Sequence, residues 1–370
     1  MKPARSLIPI GTATFGPDTA RRVRTLESQL LSLLSRWGYR EIILPTFEYL
    51  DVLSVGLAPE VLEKCYKFAD WTTGRILVLR PDITAQIARM VAMGMGGDGL
   101  PLRLSYRTTV FRYEQEHAGR EREVFQVGVE LIGTDDVYAD AEVLISLIEL
   151  LKEVGLPDFK ISVGHVGFYN ALLNRSGLSN DGQRKAEIAA ARKDLTLLES
   201  LLLKERISRK KIQVLLEAVG RCGQADVLEW GRTIAGKDSA LTTPLTRLSN
   251  VYDLLGTSGL QDHLLIDLGE FRGFNYYDGV VFDVFTSSFG SELGGGGRYN
   301  HLLGRFGREL PSTGFALDMD RVFASLDSAA LQNGDQGSPL LLVSAHKHYG
   351  AAFKLAQQLR SEGFQVIQET

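Results

Sequence analysis

Between residues 18 and 37 the apolar side chains Val23, Leu26, Leu30, Leu33, Leu34 and Trp37 recur every three or four positions. That is the period of one helix face, with Asp18 as a cap and Gly38 as a stop. The next stretch, "GYREIILPTFEYL", predicts a strand over 39–44 that ends at Pro45, which has no amide to give to a ladder. Further strands are predicted at 76–79, 102–106, 109–113 and 124–132, before a helix over 139–154. Strands that follow one another on short connections favour a largely antiparallel sheet with helices on one side, an α+β arrangement. No G-x-G-x-x-G follows a strand and opens a helix, so a doubly wound dinucleotide fold is not indicated.

From about 167 to 260 the pattern turns helical and polar, most clearly in "KAEIAAARKDLTLLESLLLKERISRKKIQVLLEAVG", and reads as a helical insert. The sheet resumes in "HLLIDLGEFRGFNYYDGVVFDVFTSS", whose strands are expected to meet at the turn-forming Asp278 and Gly279. A glycine run at 294–297 precedes a strand and helix in "STGFALDMDRVFASL". Residues 331–339, "LQNGDQGSP", have linker composition. The expected organisation is a core domain over 1–330 holding the insert, the linker, and a 340–370 segment. That segment reads as strand, helix and the start of a second strand. It opens a small α/β domain that does not finish, either lost in this chain or cut short.

Composition narrows the function classes. The chain has 370 residues, 44% hydrophobic and 23% charged, ordinary values for a soluble globular protein. A formal net charge of -4 argues against general nucleic-acid binding, which needs a basic surface to neutralise phosphates. Cys65 and Cys222 are isolated thiols without C-x-x-C spacing, so neither a disulfide framework nor a metal site is indicated, and no cofactor is implied. The apolar run at the N-terminus is broken by Pro9 and Gly11, and no run of eighteen apolar residues appears, so the expectation is a cytoplasmic protein.

The densest charge lies in "FRYEQEHAGREREVFQVGVELIG", residues 111–133. Two strands flanking a turn at Ala118 and Gly119 would aim alternate side chains at one surface, bringing Arg112, Glu114, Gln126 and Glu130 together above a sheet. Plainer readings exist for each feature. Arg112 and Glu114 alone make an ordinary ion pair. Glycines 294–297 make a tight backbone passage more often than a phosphate cradle. Tyr276 and Tyr277 read as alternating strand residues, and "ERISRKK" at 205–211 as a solvated helix face. His117 and His165 receive no catalytic role. Asp135 and Asp136, the one acidic pair beside a loop, suit helix capping better than phosphoribosyl transfer, since the amide-rich loop for a 5-phosphate is missing.

Taken in order, "LRPDITAQIAR", the 111–133 stretch, "FRGFNYYDG", "GGGGRYN" and "GFALDMDRV" resemble the catalytic core of class II aminoacyl-tRNA synthetases. Within that class the resemblance is to histidyl-tRNA synthetases and their relatives, the regulatory subunits of ATP phosphoribosyltransferase. It covers roughly residues 8–325, apart from much of the insert. "GYREIILPTFE" resembles the first class motif, which implies a homodimer contact.

Arg112, Arg120 and Arg321 match arginines that grip ATP in the synthetases, where a planar guanidinium binds phosphate oxygens bidentately. Asp82 and Thr84 match the ammonium-binding pair, Gln126 the glutamine beside them, and Glu130 the carboxylate that faces the imidazole. Tyr277 and Tyr299 match aromatic walls, and Arg272 an arginine at the substrate carboxylate. A histidine-binding set of Asp82, Thr84, Arg112, Gln126, Glu130, Arg272, Tyr276, Tyr277 and Tyr299 is implied. It would give an anionic clamp for an ammonium, a cation for a carboxylate and an acceptor for an imidazole N–H.

Two departures weigh against catalysis. "RPDIT" stands where the synthetases have "RPEGT", so Asp82 is one methylene shorter. "RGFNYY" stands for "RGLDYY", so Asn275 removes a negative charge near Arg272. With about 31 residues after the linker, no anticodon-reading domain can be built, and tRNA is not an expected partner. The resemblance therefore implies a non-catalytic regulatory subunit. Its expected partner is a short-form ATP phosphoribosyltransferase catalytic subunit, in a hetero-oligomer built on a homodimer, with histidine as feedback effector in the first step of histidine biosynthesis. The alternative is a histidyl-tRNA synthetase whose chain has been shortened.

Overall fold

The computed structural model describes residues 8–97, 99–113, 122–156, 158–270, 276–326, 340–344 and 349–369. The chain divides into two compact units, Met1–Ser325 and Leu326–Thr370. In the smaller, the strands Leu340–Ser344 and Gln365–Glu369 pair in parallel, and the helix Tyr349–Ser361 lies between them in sequence.

The larger unit is organised by a sheet that is nine-stranded among the described residues. Its spatial order is Arg40–Glu41, Leu102–Phe111, Glu123–Ile132, Ser312–Asp318, Gly294–Arg298, Val280–Thr286, Phe159–His165, Leu264–Asp267 and Cys222–Gly223. The centre is antiparallel; Arg40–Glu41 joins Leu102–Phe111 in parallel, and Leu264–Asp267 joins Phe159–His165 in parallel. The helices Pro17–Arg36, Val137–Glu153 and Ser239–Thr257 pack on strands of this sheet. The architecture is the expected α+β arrangement, a large and mainly antiparallel sheet flanked by helices. A separate three-stranded sheet joins Phe47–Tyr49, Ile76–Leu79 and Lys67–Ala69. Residues 166–257 are mainly helical and return to the main sheet through Cys222–Gly223 and Leu264–Asp267.

Several expectations need correction. The first helix is Pro17–Arg36, capped at Gly16 without a side-chain bond; proline at the first helical position, needing no amide partner, moves the start ahead of Asp18. The strand expected over 39–44 is only Arg40–Glu41. Arg80 draws the following backbone away, donating from Nη1 to the carbonyls of Leu44 at 2.9 Å and Pro45 at 3.1 Å. The two strands expected at 102–106 and 109–113 form one, Leu102–Phe111, paired to Glu123–Ile132 throughout. The strands either side of Asp278 and Gly279 do not meet there, because Phe159–His165 lies between Leu264–Asp267 and Val280–Thr286.

The glycine run is a central strand in tight quarters. A Cβ on Gly296 would lie 1.9 Å from the Gly314 carbonyl oxygen, and one on Gly294 would lie 2.2 Å from that of Ala316. Only a residue without a side chain fits such an approach. Among the described residues no helix is long and apolar enough to cross a membrane, and no group of three or more His, Cys, Asp or Glu is placed to hold a metal.

Candidate functional site

Strand alternation puts Gln126, Gly128 and Glu130 on one face of Glu123–Ile132. Glu130 sits in a row with Gly314 and Gly297 on the next two strands, so its carboxylate extends over a floor without side chains. A Cβ on Gly314 would fall 2.0 Å from Glu130 Oε2. Above that floor, Thr84 at the start of the helix Thr84–Ala92 donates its hydroxyl to Glu130 Oε1 at 2.8 Å. The Tyr299 hydroxyl donates to Oε2.

Asp82 is buried two residues before that helix. Its Oδ1 accepts the Ala85 amide at 3.2 Å, and its Oδ2 accepts the Tyr276 hydroxyl at 3.2 Å. Tyr276 contacts Tyr277 with centroids 4.7 Å apart and Tyr299 with centroids 5.8 Å apart, edge to face in the second case. Asp82, Thr84, Glu130, Tyr276, Tyr277 and Tyr299 therefore form one continuous cluster. Ile83, Ile87, Tyr106, Leu302 and Leu303 pack around its aromatic side.

Burial is the main cause that pushes the Glu130 carboxyl up to about 8, and the neighbouring Asp82 adds to it; the Tyr299 and Thr84 hydrogen bonds act in the opposite direction. Burial, followed by the carboxylates of Glu130 or Asp82, likewise raises the hydroxyls of Tyr106, Tyr276 and Tyr299. Two buried acids beside three tyrosine rings have the chemistry to receive a small cation or N–H donors on a flat ring. At neutral pH the Glu130 group is an acid that a bound base can share a proton with.

The remaining expected residues are placed differently. Gln126 lies on the same face beyond Gly128, about 13 Å along the strand from Glu130, and its amide donates to Asp318 at 2.8 Å. Arg112 donates to the Pro81 carbonyl at 2.7 Å, next to Asp82. Arg321 is held by the carbonyl and carboxylate of Glu292 at 2.6 and 2.9 Å, with Asp318 at 3.5 Å. Arg120, Arg272, Glu114, Asn275, His117 and the turn at Ala118–Gly119 lie outside the described residues.

His165 is buried, and its Nδ1 accepts the Gly167 amide at 3.1 Å as the cap of the helix Val166–Ser176. Burial and the nearby Arg247 and Arg298 push it down to about 4, which keeps the ring neutral. Asp136 caps the helix Val137–Glu153. Asp135 turns instead to Arg247 and Arg298, at 3.1 and 3.3 Å.

Sequence reasoning missed Asp318, which joins Gln126 to Arg321. It also missed Tyr106, whose hydroxyl reaches within 2.4 Å of where a Gly128 Cβ would lie. Both are placed by strand pairing: Asp318 stands opposite Gln126 and Tyr106 opposite Gly128, so only the register could have found them.

Comparison with known proteins bears on this arrangement. Residues 11–322 match the family profile described as Histidyl-tRNA synthetase. A curated relative from Geobacter metallireducens, named ATP phosphoribosyltransferase regulatory subunit, is 35% identical over 368 residues, 99% of this chain and 84% of its own. One of the same name from Moorella thermoacetica is 37% identical over 360 residues, 97% of this chain and 91% of its own. A solved structure described as an ATP phosphoribosyltransferase regulatory subunit/histidyl-tRNA synthetase from Bacillus halodurans C has a TM-score of 0.86 at 29% identity, covering 100% of this chain and 93% of that one. Histidyl-tRNA synthetase from Nostoc sp. PCC 7120 shares the fold, with a TM-score of 0.81 at 21% identity over 98% of this chain and 85% of its own. The chain belongs to the histidyl-tRNA synthetase-like family, in the group that contains the ATP phosphoribosyltransferase regulatory subunits.

Proposed function

We propose that this protein is a regulatory subunit of ATP phosphoribosyltransferase without catalysis of its own, and that the Asp82–Glu130–tyrosine cluster binds free histidine as the pathway's feedback signal. The observation that carries the reading is the buried Glu130, which accepts from Thr84 and Tyr299 beside the Asp82–Tyr276 pair. An ammonium at Asp82 and an imidazole at Glu130 match the two acids, and the tyrosine rings enclose the flat ring. The resemblance assigns Arg272 to the ligand carboxylate.

The protein assembles, as a homodimer, with a short catalytic ATP phosphoribosyltransferase and is required for its activity. Histidine inhibits by binding one arrangement of that complex more tightly than the other. Against a synthetase reading, the described arginines expected at ATP are engaged by protein oxygens: Arg112 by Pro81, Arg321 by Glu292 and Asp318.

Calorimetry of histidine into the full chain, and into Glu130→Ala, tests the pocket. Binding that weakens at least tenfold in the variant is expected, and the absence of histidine heat in both the subunit and its complex with the catalytic chain refutes the sensor role. Transferase activity that needs both chains and falls with added histidine is the matching outcome for the assembly. Histidine-dependent exchange of pyrophosphate into ATP would favour the synthetase instead.

A further inference from the structure

Among the described residues, the largest fully buried side chain is not in the cluster but next to it in sequence: Arg298, 1% exposed, immediately before Tyr299. Gly297 sits in the Glu130 row, so alternation sends Arg298 through to the opposite, helix-packed face of the sheet. There its Nε donates to Asp140 Oδ1 at 2.8 Å, and both partners are 1% exposed. Its Nη1 donates to the Thr134 carbonyl at 3.0 Å and to Asn300 Oδ1 at 3.1 Å. A buried guanidinium held by the carboxylates of Asp140 and, at 3.3 Å, Asp135, and by the oxygens of Thr134 and Asn300, is fixed in a single orientation, because releasing a partner leaves a buried polar group unpaired.

Two features transmit that fixed position toward the cluster. The aliphatic stem of Arg298 fills the space Gly279 leaves open, since a Cβ there would lie 2.8 Å from Arg298 Cβ. The Arg298 carbonyl accepts the Asp278 amide at 3.0 Å, and the Asp278 carboxylate accepts the Asn300 and His301 amides at 3.1 and 3.2 Å. Tyr277, just before the strand Val280–Thr286, and Tyr299, just after the strand Gly294–Arg298, thus leave the same knot. The other oxygen of Asp140 accepts Arg247 Nε at 2.8 Å, from the helix Ser239–Thr257 of the insert.

We propose that Arg298 is a positioning residue for the pocket: through Asp140 and the Asp278–Gly279 turn it holds Tyr299 against Glu130, and Arg247, sharing Asp140, ties that placement to the helical insert. The inference rests on reading the cluster as a ligand pocket, but its signature exists without ligand. Among the described residues, the groups facing Glu130 are Thr84 from its helix, Asp82 from the segment before it, Tyr106 from the neighbouring strand, Tyr276 and Tyr299. Of these, Tyr299 is the one that Arg298 controls, and its hydrogen bond holds the Glu130 midpoint down.

The test is a carboxyl titration by 13C NMR on glutamate-labelled full chain, with the Glu130 signal assigned by its loss in Glu130→Gln. Tyr299→Phe is expected to raise the midpoint by about one pH unit, the effect of one hydrogen bond to a charged group. Arg298→Lys keeps the charge and loses the planar fork; it should raise the midpoint in the same direction, and the double variant should go no further than Tyr299→Phe alone. An unmoved midpoint in Arg298→Lys, or shifts that add, overturns the positioning role. Should Arg298→Lys not fold, Arg247→Met loosens only the outer half of the knot; a smaller upward shift supports the proposal and none overturns it. Histidine calorimetry on the wild type is read separately: no binding with the shift pattern intact refutes the ligand assignment and leaves the positioning role standing.

Discussion

The Glu130 carboxyl makes a sharp prediction about stability and pH. In the unfolded chain it titrates at the ordinary 4.5, and in the folded protein burial moves it to about 8. A group whose folded value is raised contributes fully below the unfolded value, and that contribution is lost as pH climbs to the folded one. At ~1.4 kcal/mol per pH unit, the loss between those limits reaches a ceiling of about 5 kcal/mol, which relaxation and water entry around a buried charge reduce. Glu130→Gln removes the titration while keeping the shape and a carbonyl for Thr84 or Tyr299. Urea unfolding from pH 5 to 9 on both proteins isolates the term, because Glu270, raised to about 7, and the other groups are common to both. The variant should lose ground least at alkaline pH, so that its stability relative to wild type rises between pH 5 and 8.5 by at least 2 kcal/mol. Parallel curves would show that Glu130 is ionised throughout, and the account of the pocket as a shared-proton site would fail with it.

Two further outcomes check the frame around the cluster. Gly314→Ala puts a methyl 2.0 Å from Glu130 Oε2 and 2.2 Å from the Val129 carbonyl oxygen; overpacking of this kind costs about 1–3 kcal/mol, so a melting temperature equal to wild type would contradict the described crowding. Arg80→Lys removes the fork that serves the carbonyls of Leu44, Pro45 and Thr109. A loss of about 2–3 kcal/mol is expected in urea, larger in Arg80→Met, and an unshifted midpoint in both would refute the bracing role.

How much of this was legible in the sequence depends on whether the determinant was local. The first helix was readable because its period repeats through five turns, and only its cap was misplaced, by Pro17. The apolar run Ile42–Ile43–Leu44 looked like strand, yet Ile43 is 91% exposed, and the carbonyls beyond it answer to Arg80, about 35 residues downstream. Likewise Arg107 and Thr108 looked like a break between strands, whereas Thr108 stands opposite Gln126 within one ladder. The cluster followed the same rule. Residues carried by motifs (Asp82, Thr84, Glu130, Tyr276, Tyr277, Tyr299) were found by order along the chain. Asp318, Tyr106 and the Arg298–Asp140 pair depend on which strand neighbours which, and no short pattern encodes that.

The glycine strand at 294–298 also carries a warning for anyone comparing relatives. Where a neighbouring carbonyl occupies the volume of a methyl group, as beside Gly296, the position has an alphabet of one letter whatever the protein does. Invariance there would record crowding between main chains, and a survey that ranked positions by constancy would place these silent residues above the tyrosines proposed to meet a ligand.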